Sequence, residues 1–131
     1  MHLLLDTPSI SISFDFIENW LYAEWKGPQD LESVQTGARE MLRLLQLERC
    51  HKVLNDNRRV TTIWSDAAEW GGQIWFPQMA AAGLQYFAWI YSPNAYSRLS
   101  TDLTLQYTDA TGPIVATFDH IDTARNWLRN V

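Results

Sequence analysis

The architecture of this chain follows from one short apolar run that ends in polar residues, His51-Lys52-Val53-Leu54-Asn55-Asp56-Asn57-Arg58-Arg59. The run comes directly after a helical pattern, and this order is typical of a buried parallel strand that meets its loop. In an open α/β sheet, function usually lies outside the carboxyl ends of the strands. We therefore predict a loop at 55–59 as the first candidate site. Its residues are Asn55, Asp56, Asn57, Arg58 and Arg59.

This predicted loop allows two interpretations. In the functional one, its residues form a polar rim that recognises a partner or an anionic ligand, with Arg58 and Arg59 as bidentate donors. In the structural one, Asp56 accepts backbone N–H bonds within the loop, and the arginines are solvated or paired with it. The sequence leaves both interpretations open.

The composition indicates a single globular domain, residues 1–131, with an ordinary balance of 47% hydrophobic and 19% charged residues. A net charge of −5 argues against a nucleic-acid partner and against adsorption to anionic lipid. Cys50 is the only cysteine, and no apolar run has the length of a signal-peptide core or a membrane span. We therefore expect a cytoplasmic protein with no stable membrane association.

Seven tryptophans are an unusual number for a chain of this length. A buried indole needs a partner for its N–H, and an exposed one is adhesive. Several tryptophans are therefore expected half-buried at a groove or a protein contact, the alternative being that they simply fill a small core.

The first half of the chain predicts a hairpin and a helix. Apolar and polar residues alternate over 10–16, and 20–25 is a second strand-like run, too close in sequence for anything but an antiparallel pair. From Asp30 the apolar residues recur at helical spacing as far as Leu45, and the helix is expected to end at 47–51. A helix that joins two strands implies that those strands are parallel.

The second half continues the alternation. Asp66 and Glu69 match a capping box for a helix that Pro77 should kink and Gly83 should end. A central strand follows at 84–91, and 95–108 fits either a helix or a strand, of which we choose the helix. The last strand is predicted at 114–118, and Asp119 is expected to cap a final helix. The fold class is therefore α/β: a single mixed β-sheet, in which an N-terminal antiparallel hairpin precedes alternating helices and parallel strands, with helices packed against it.

In this order of elements the chain resembles the STAS and SpoIIAA-like group, small bacterial single-domain proteins that share the fold of anti-sigma factor antagonists. The resemblance covers essentially the whole chain. The segments that carry it are Trp25-Lys26-Gly27, 53–57, Trp64 through Trp70 to Ala82-Gly83-Leu84, and Phe118 to Trp127-Leu128.

The resemblance also implies a modification site. The sporulation antagonists of this group carry a phosphorylatable serine at the start of the second helix, in an Asp-Ser-Ser-Gly-like turn. The matching stretch here is Ser65-Asp66-Ala67-Ala68, in which only Ser65 could be phosphorylated and the glycine is missing. The structural alternative is that Ser65 or Asp66 caps the helix.

An aromatic cluster lies on the same predicted helix, and its members are Trp64, Trp70, Trp75, Phe76 and Met79. Trp75 and Phe76 are about 100° apart on a helical wheel, and Trp70 and Ile74 already occupy the inward stripe. Some aromatic surface should therefore be left over, either to line a pocket or to form a homodimer patch.

The sequence shows no catalytic, cofactor or metal motif. No Gly-x-Ser-x-Gly elbow or phosphate-binding loop occurs, and the adjacent residues Asp119, His120 and Asp122 are better explained by a helix start than by a metal. Our leading hypothesis is a non-enzymatic, STAS-like regulatory or protein-interaction module that contacts a protein partner or itself, as a dimer, through 55–59, Trp64, Ser65 and the aromatic helix. The second is a domain that binds a small apolar molecule or lipid. The third, an enzyme acting through Asp56, Ser65 or His120, would need these groups to converge.

Overall fold

The computed structural model describes residues 1–131, which form one six-stranded sheet in the spatial order β1-β2-β3-β4-β5-β6. The strands are β1 (His2–Asp6), β2 (Ile10–Asp15), β3 (Trp20–Gly27), β4 (Lys52–Val60), β5 (Tyr86–Ile90) and β6 (Ile114–Phe118). The first three are antiparallel, and β3 to β6 are parallel. The helices are α1 (Leu31–Glu48), the composite helix α2 (65–81), α3 (Ala95–Gln106) and α4 (Ile121–Arg129). The predicted α/β class with a mixed sheet is confirmed.

The predicted hairpin is confirmed as β2 and β3, and the chain adds an edge strand that was not predicted. In this strand, β1, His2 lies opposite Phe14 and Asp6 opposite Ser11. Its apolar residues are consecutive, Leu3-Leu4-Leu5, so they show no alternation. A bulge between Leu3 and Leu5 accounts for that irregularity.

Helix α1 begins where the sequence places it, because Asp30 caps it. The Asp30 side chain accepts from the backbone N–H of Ser33, and the Ser33 hydroxyl accepts from the N–H of Asp30, at 2.8 and 3.0 Å. The helix ends at Arg49, which takes the left-handed conformation at φ 53°. Its buried residues, among them Met41 and Leu45, pack against the sheet.

Strand β4 corrects the central sequence prediction. Residues 55–59 are not a loop, because β4 runs from Lys52 to Val60 and pairs with β3 and β5. The register against β3 shifts by one residue between Glu24 and Lys26. This irregularity lets Arg58 and Arg59 both lie exposed and returns Val60 to the core.

Helix α2 changes its winding along its length. It opens with a 3₁₀ turn at Ser65–Ala67, passes through Ala68–Trp70, widens to a π-helix at Gly71–Trp75 and resumes as an α-helix at Phe76–Ala81. The predicted Asp66 capping box is wrong, since no side chain caps this helix at its start. Pro77, which cannot donate a hydrogen bond, lies just after the π-turn, so the interruption precedes the proline.

The end of α2 and the last third of the chain follow the prediction closely. Gly83, at φ 108°, follows the last turn of α2, and the N–H of Leu84 reaches back to the Met79 carbonyl. The ambiguous segment 95–108 is a helix, so the strand alternative is wrong. Asp119 does not cap α4, whose first flanking residue is His120; the Asp119 carboxylate pairs with Arg98 at 2.8 Å.

The sheet has a core on each face. Helices α1 and α2 cover one face, and the larger core lies there. Helix α4 covers part of the other face through Ala124 and Leu128. None of the helices has the length and apolarity needed to cross a membrane.

Candidate ligand-binding site

An aromatic cleft lies between the sheet and the helices that cover its larger core, with a volume of about 50 Å³. Its aromatic lining residues are Trp25, Trp64, Trp70, Trp75, Phe76, Phe87 and Trp89. Its polar lining residues are Gln29, Asn55, Asn57 and Thr104. No lining residue carries a charge, so the cleft is a low-dielectric site bounded by rings and amides.

Five of the seven tryptophans meet at this cleft although they come from four separate segments of the chain. Trp25 lies on β3, Trp89 on β5, Trp64 ahead of α2, and Trp70 and Trp75 on α2. The other two, Trp20 and Trp127, belong to the core on the opposite face. Of these five, only Trp70 is half-buried, and the other four belong to the larger core. The expectation of several half-buried tryptophans is therefore wrong, and the alternative that they fill the core holds for most of them.

The rings form a continuous wall. Trp64 and Trp89 are stacked, with ring centroids 6.0 Å apart and an angle of 20° between their planes. Phe76 contacts Trp75 and Phe87 edge to face, at 4.8 and 5.1 Å between centroids. These contacts fix the inner part of the cleft.

The π-turn explains why Trp75 and Phe76 are both part of this wall. They are 5% and 2% exposed, whereas Ile74, which a regular helix would have turned inward, is 48% exposed. A π-turn contains more residues than an α-turn, so it shifts the phase of the helical face. The prediction that Trp75 or Phe76 leaves aromatic surface exposed is wrong, and its pocket alternative agrees with the structure.

Three of the cleft tryptophans donate their indole N–H to an acceptor within the protein. Trp25 Nε1 donates to Asn55 Oδ1 at 2.9 Å, Trp64 Nε1 to Ser97 Oγ at 3.1 Å, and Trp75 Nε1 to the Ala38 carbonyl at 2.7 Å. Trp89 differs, because its Nε1 is buried and has no partner.

The two asparagines extend one of these bonds into a directed chain. Because Asn55 Oδ1 accepts from Trp25, Asn55 Nδ2 must act as the next donor, and it donates to Asn57 Oδ1 at 3.3 Å. This fixes the orientation of both amides. Asn57 Nδ2 is then the last donor of the chain, and it finds no acceptor in the protein.

Two glycines allow the surrounding elements to approach closely. A Cβ on Gly37 would lie 2.6 Å from the Trp25 ring, so the glycine admits the indole against α1. A Cβ on Gly72 would lie 2.5 Å from Tyr107 Cβ and 2.7 Å from the Thr104 carbonyl oxygen. The close contact between α2 and α3 therefore needs glycine at 72.

The mouth of the cleft is less tightly packed than its interior. Val34 and Trp70 are half-buried, in contrast to the enclosed rings behind them. The guanidinium carbon of Arg39 lies 5.5 Å from the Trp70 ring centroid, so Arg39 covers the outer face of that indole.

Asp56, which lies between the two asparagines on β4, points to the opposite face of the sheet. Asp56 is buried and accepts from the Tyr22 hydroxyl at 2.6 Å and from Arg58 Nη2 at 2.8 Å. Burial alone would raise the Asp56 pKa, but the bonds from Arg58 and Tyr22 outweigh it and lower that pKa. Burial and the Asp56 carboxylate raise the Tyr22 pKa.

The remaining residues of the predicted sites do not join the cleft lining. Arg59 is exposed and pairs with Glu24 at 3.2 Å, and Ser65 is half-buried in the first turn of α2. No hydrogen bond joins Asp56, Ser65 and His120 to one another, and no group of three His, Cys, Asp or Glu side chains is placed to hold a metal ion. Burial raises the pKa of the Cys50 thiol to about 11.

The sequence prediction therefore found one part of the cleft and missed another. Asn55, Asn57, Trp64, Trp70, Trp75 and Phe76 were predicted site residues, and all line the cleft. Trp25, Phe87 and Trp89 were assigned to strands only. A signal existed for Trp25, because it continues the inward alternation of Leu21 and Ala23 at the end of β3.

Comparison of the chain with protein-family models, curated proteins and solved structures returned no match. The STAS resemblance stays a prediction.

Proposed function

We propose that this protein is a non-enzymatic binding module of STAS-like architecture whose aromatic cleft takes up a small, uncharged ligand. The observation that carries the proposal is the convergence of five tryptophans on one cleft with no charged lining residue. An apolar cleft with a few placed polar groups is the usual form of a small-molecule site. The lining holds no acid or base, and its one hydroxyl, that of Thr104, donates to the Ser100 carbonyl, which supports binding rather than turnover.

The size of the cleft limits the ligand. Its volume of about 50 Å³ is well below the ~300 Å³ that encloses a drug-sized molecule and below the ~150 Å³ that holds benzene in a sealed core. The cleft as it stands is therefore too small to enclose a ring, and a one-ring ligand needs additional space. It would enter at the mouth and displace the half-buried Trp70 side chain outward.

The seven indole N–H groups provide a direct test, because each gives its own signal in a ¹⁵N-correlation spectrum. We expect acetophenone, a small uncharged aromatic ketone, to shift the signals of the five cleft tryptophans. Trp20 and Trp127 lie on the opposite face and serve as internal controls. A titration that moves none of the seven signals, or all seven alike, would contradict the proposal.

A variant pair tests whether the probe enters through the mouth. Val34→Phe adds a ring to a half-buried lining position and should abolish the shifts. Leu31→Phe makes a similar change one turn earlier on α1, at an exposed position outside the lining, and should leave them unchanged. If the indole N–H signals of both variants shift alike, the probe does not enter the cleft through this mouth.

A regulatory or protein-interaction role, which the STAS resemblance implies, is the second candidate. The observation that favours it is the pair of exposed guanidinium groups at the end of β4, with the Arg59 side chain 64% exposed. A protein partner with an acidic patch would suit them. Arg59→Glu should then reduce capture of that partner from the native cytosol, and equal capture by both forms would count against the role. Phosphopeptide mapping of the protein purified from the same cells tests whether Ser65 is phosphorylated.

A further inference from the structure

Two buried residues of the cleft lining, Asn57 and Trp89, carry side-chain N–H donors that have no partner within the protein. We infer that its ligand is a flat, uncharged molecule with a hydrogen-bond acceptor, such as a carbonyl oxygen, and that Asn57 Nδ2 and Trp89 Nε1 recognise this acceptor. The inference rests on the proposed function, because it names the ligand class of the same cleft.

Two residues of the cleft lining carry unpaired hydrogen-bond donors. Asn57 and Trp89 both line the cleft and are 3% and 5% exposed. Trp89 Nε1 is buried without a partner, and Asn57 Nδ2, which is not fully buried, forms no hydrogen bond within the protein. A buried donor without a partner is unfavourable, so a native protein keeps few of them. The unpaired indole of Trp89, next to a second free N–H group on the same lining, points to an acceptor that comes from outside.

Each amide oxygen of the cleft lining already accepts a hydrogen bond. Asn55 Oδ1 accepts from Trp25, Asn57 Oδ1 from Asn55, and Gln29 Oε1 from the Ser33 hydroxyl. The Thr104 hydroxyl donates to the Ser100 carbonyl within its own helix, and its oxygen accepts no bond. A ligand donor would therefore share an amide oxygen or use the Thr104 oxygen, whereas a ligand acceptor gives a partner to N–H groups that have none.

The cleft lining carries no charged side chain, and this limits the charge of the ligand. No lysine or arginine lines the cleft, so a carboxylate or phosphate would lose its hydration without gaining a counter-charge. A cation would meet aromatic faces, but also two N–H donors whose dipoles oppose it. A neutral acceptor is the one class that satisfies both donors without this penalty.

The walls of the cleft are aromatic rings, and they limit the shape of the ligand. The stacked indoles of Trp64 and Trp89 and the edge-to-face contacts of Phe76 surround the inner part of the cleft with ring surfaces. Such walls favour a flat partner, which stacks on or meets the edge of a ring.

Three probes with the same heavy-atom skeleton separate these requirements. Acetophenone is flat and carries a carbonyl acceptor, cumene replaces the carbonyl oxygen with a methyl group and so loses both the acceptor and the flat side group, and benzoate is flat but charged. We expect acetophenone to bind about tenfold more tightly than cumene, because only acetophenone is flat and gives the unpaired donors a partner. Benzoate should bind more weakly than either. Titration of the indole N–H signals gives the three dissociation constants.

Two substitutions assign the donors. Trp89→Phe keeps an aromatic ring and removes one N–H; Asn57→Asp keeps the acceptor for Asn55 and removes the other donor. Each should reduce the preference for acetophenone over cumene several-fold. Trp127→Phe is the matched control, because Trp127 lies on the opposite face of the sheet and outside the cleft lining, so the preference should not change.

The outcomes separate the inference from the proposed function. If acetophenone and cumene bind equally and shift only the cleft tryptophans, the site stands and the acceptor inference is wrong. If benzoate binds most tightly, the inference is wrong as well, since a charged ligand is then preferred. If no probe shifts the cleft signals, the proposed function fails and the inference fails with it. A circular dichroism spectrum of each variant shows that the fold is retained, and if a variant does not fold, the wild-type ratio of acetophenone to cumene affinity still decides the inference.

Discussion

Strand β4 presents polar side chains to both faces of the sheet, and the two faces use them in opposite ways. On one face, both oxygens of Asp56 accept hydrogen bonds, from Tyr22 and from the backbone and guanidinium groups of Arg58. On the other face, the chain of bonds from Trp25 through Asn55 stops at Asn57 with a donor unpaired. A closed network stabilises the fold, whereas an open one leaves a group free for a ligand. Asp56 and the two asparagines are all buried, so burial alone does not distinguish the closed network from the open one.

The largest effect should come from breaking the closed network. Asp56→Ala removes the acceptor for Tyr22 and Arg58, and we expect it to lower the free energy of unfolding by about 3 kcal/mol. The exposed end of Arg58 moderates the loss, since water can solvate it. Urea unfolding measures the change. A loss below about 1 kcal/mol would mean that the network contributes little, because that is the range of an exposed ion pair.

Because of the same network, the free energy of unfolding should fall at acid pH, whereas ligand affinity at the cleft should not depend on pH. The Asp56 pKa is lowered in the folded protein, so its stabilisation is present above its unfolded pKa of roughly 4 and is lost as pH falls through the folded value. Asp56→Asn should remove this part of the acid sensitivity. No titratable side chain lines the cleft, so the affinity for acetophenone should be the same at pH 6 and pH 8. A steep change in that affinity would show that a charged group takes part.

A third comparison lies within the cleft, between a paired and an unpaired indole. Trp75→Phe loses the bond to the Ala38 carbonyl, while Trp89→Phe loses only an N–H that has no partner. Both lose similar ring contacts, so we expect Trp75→Phe to be the more destabilising by about 1–2 kcal/mol. Thermal unfolding of the two variants under identical conditions gives the difference. If Trp89→Phe is the worse of the two, its N–H has a partner and is not free for a ligand.

The sequence predicts most of this fold because its local signals agree with each other. Alternation marks β2, helical spacing marks α1, and Gly83, the predicted end of α2, has a positive φ in the structure. The assignment of 55–59 fails for a physical reason. A central parallel strand is buried on both faces, so its polar residues look like a loop unless their partners are known, and those partners lie far away in sequence at Trp25 and Tyr22.

The cleft is predictable only in part for a related reason. The aromatic residues of α2 are visible in the sequence, but their direction depends on the π-turn at Gly71–Trp75, which no periodicity reveals. The bulge opposite Glu24 likewise decides that Arg58 and Arg59 both leave the core. Each irregularity shifts a face by one residue. The sequence therefore predicted which aromatic residues α2 contributes to the site, but not their orientation and not the rings that β3 and β5 contribute.

The smallest effect concerns the mouth of the cleft. Arg39 covers the outer face of the Trp70 ring at 5.5 Å, a partly exposed contact worth about 0.5 kcal/mol. Arg39→Ala should leave overall stability nearly unchanged and increase the quenching of Trp70 fluorescence by acrylamide. The Trp70 contribution is the difference between the quenching of each protein and that of the same protein with Trp70→Phe. Arg43→Ala is a matched control on the same helix, because Arg43 pairs with Glu40 and touches no ring of the cleft. If the two variants quench alike, Arg39 does not hold Trp70 in place, and the contrast between a fixed inner wall and an adjustable mouth is lost.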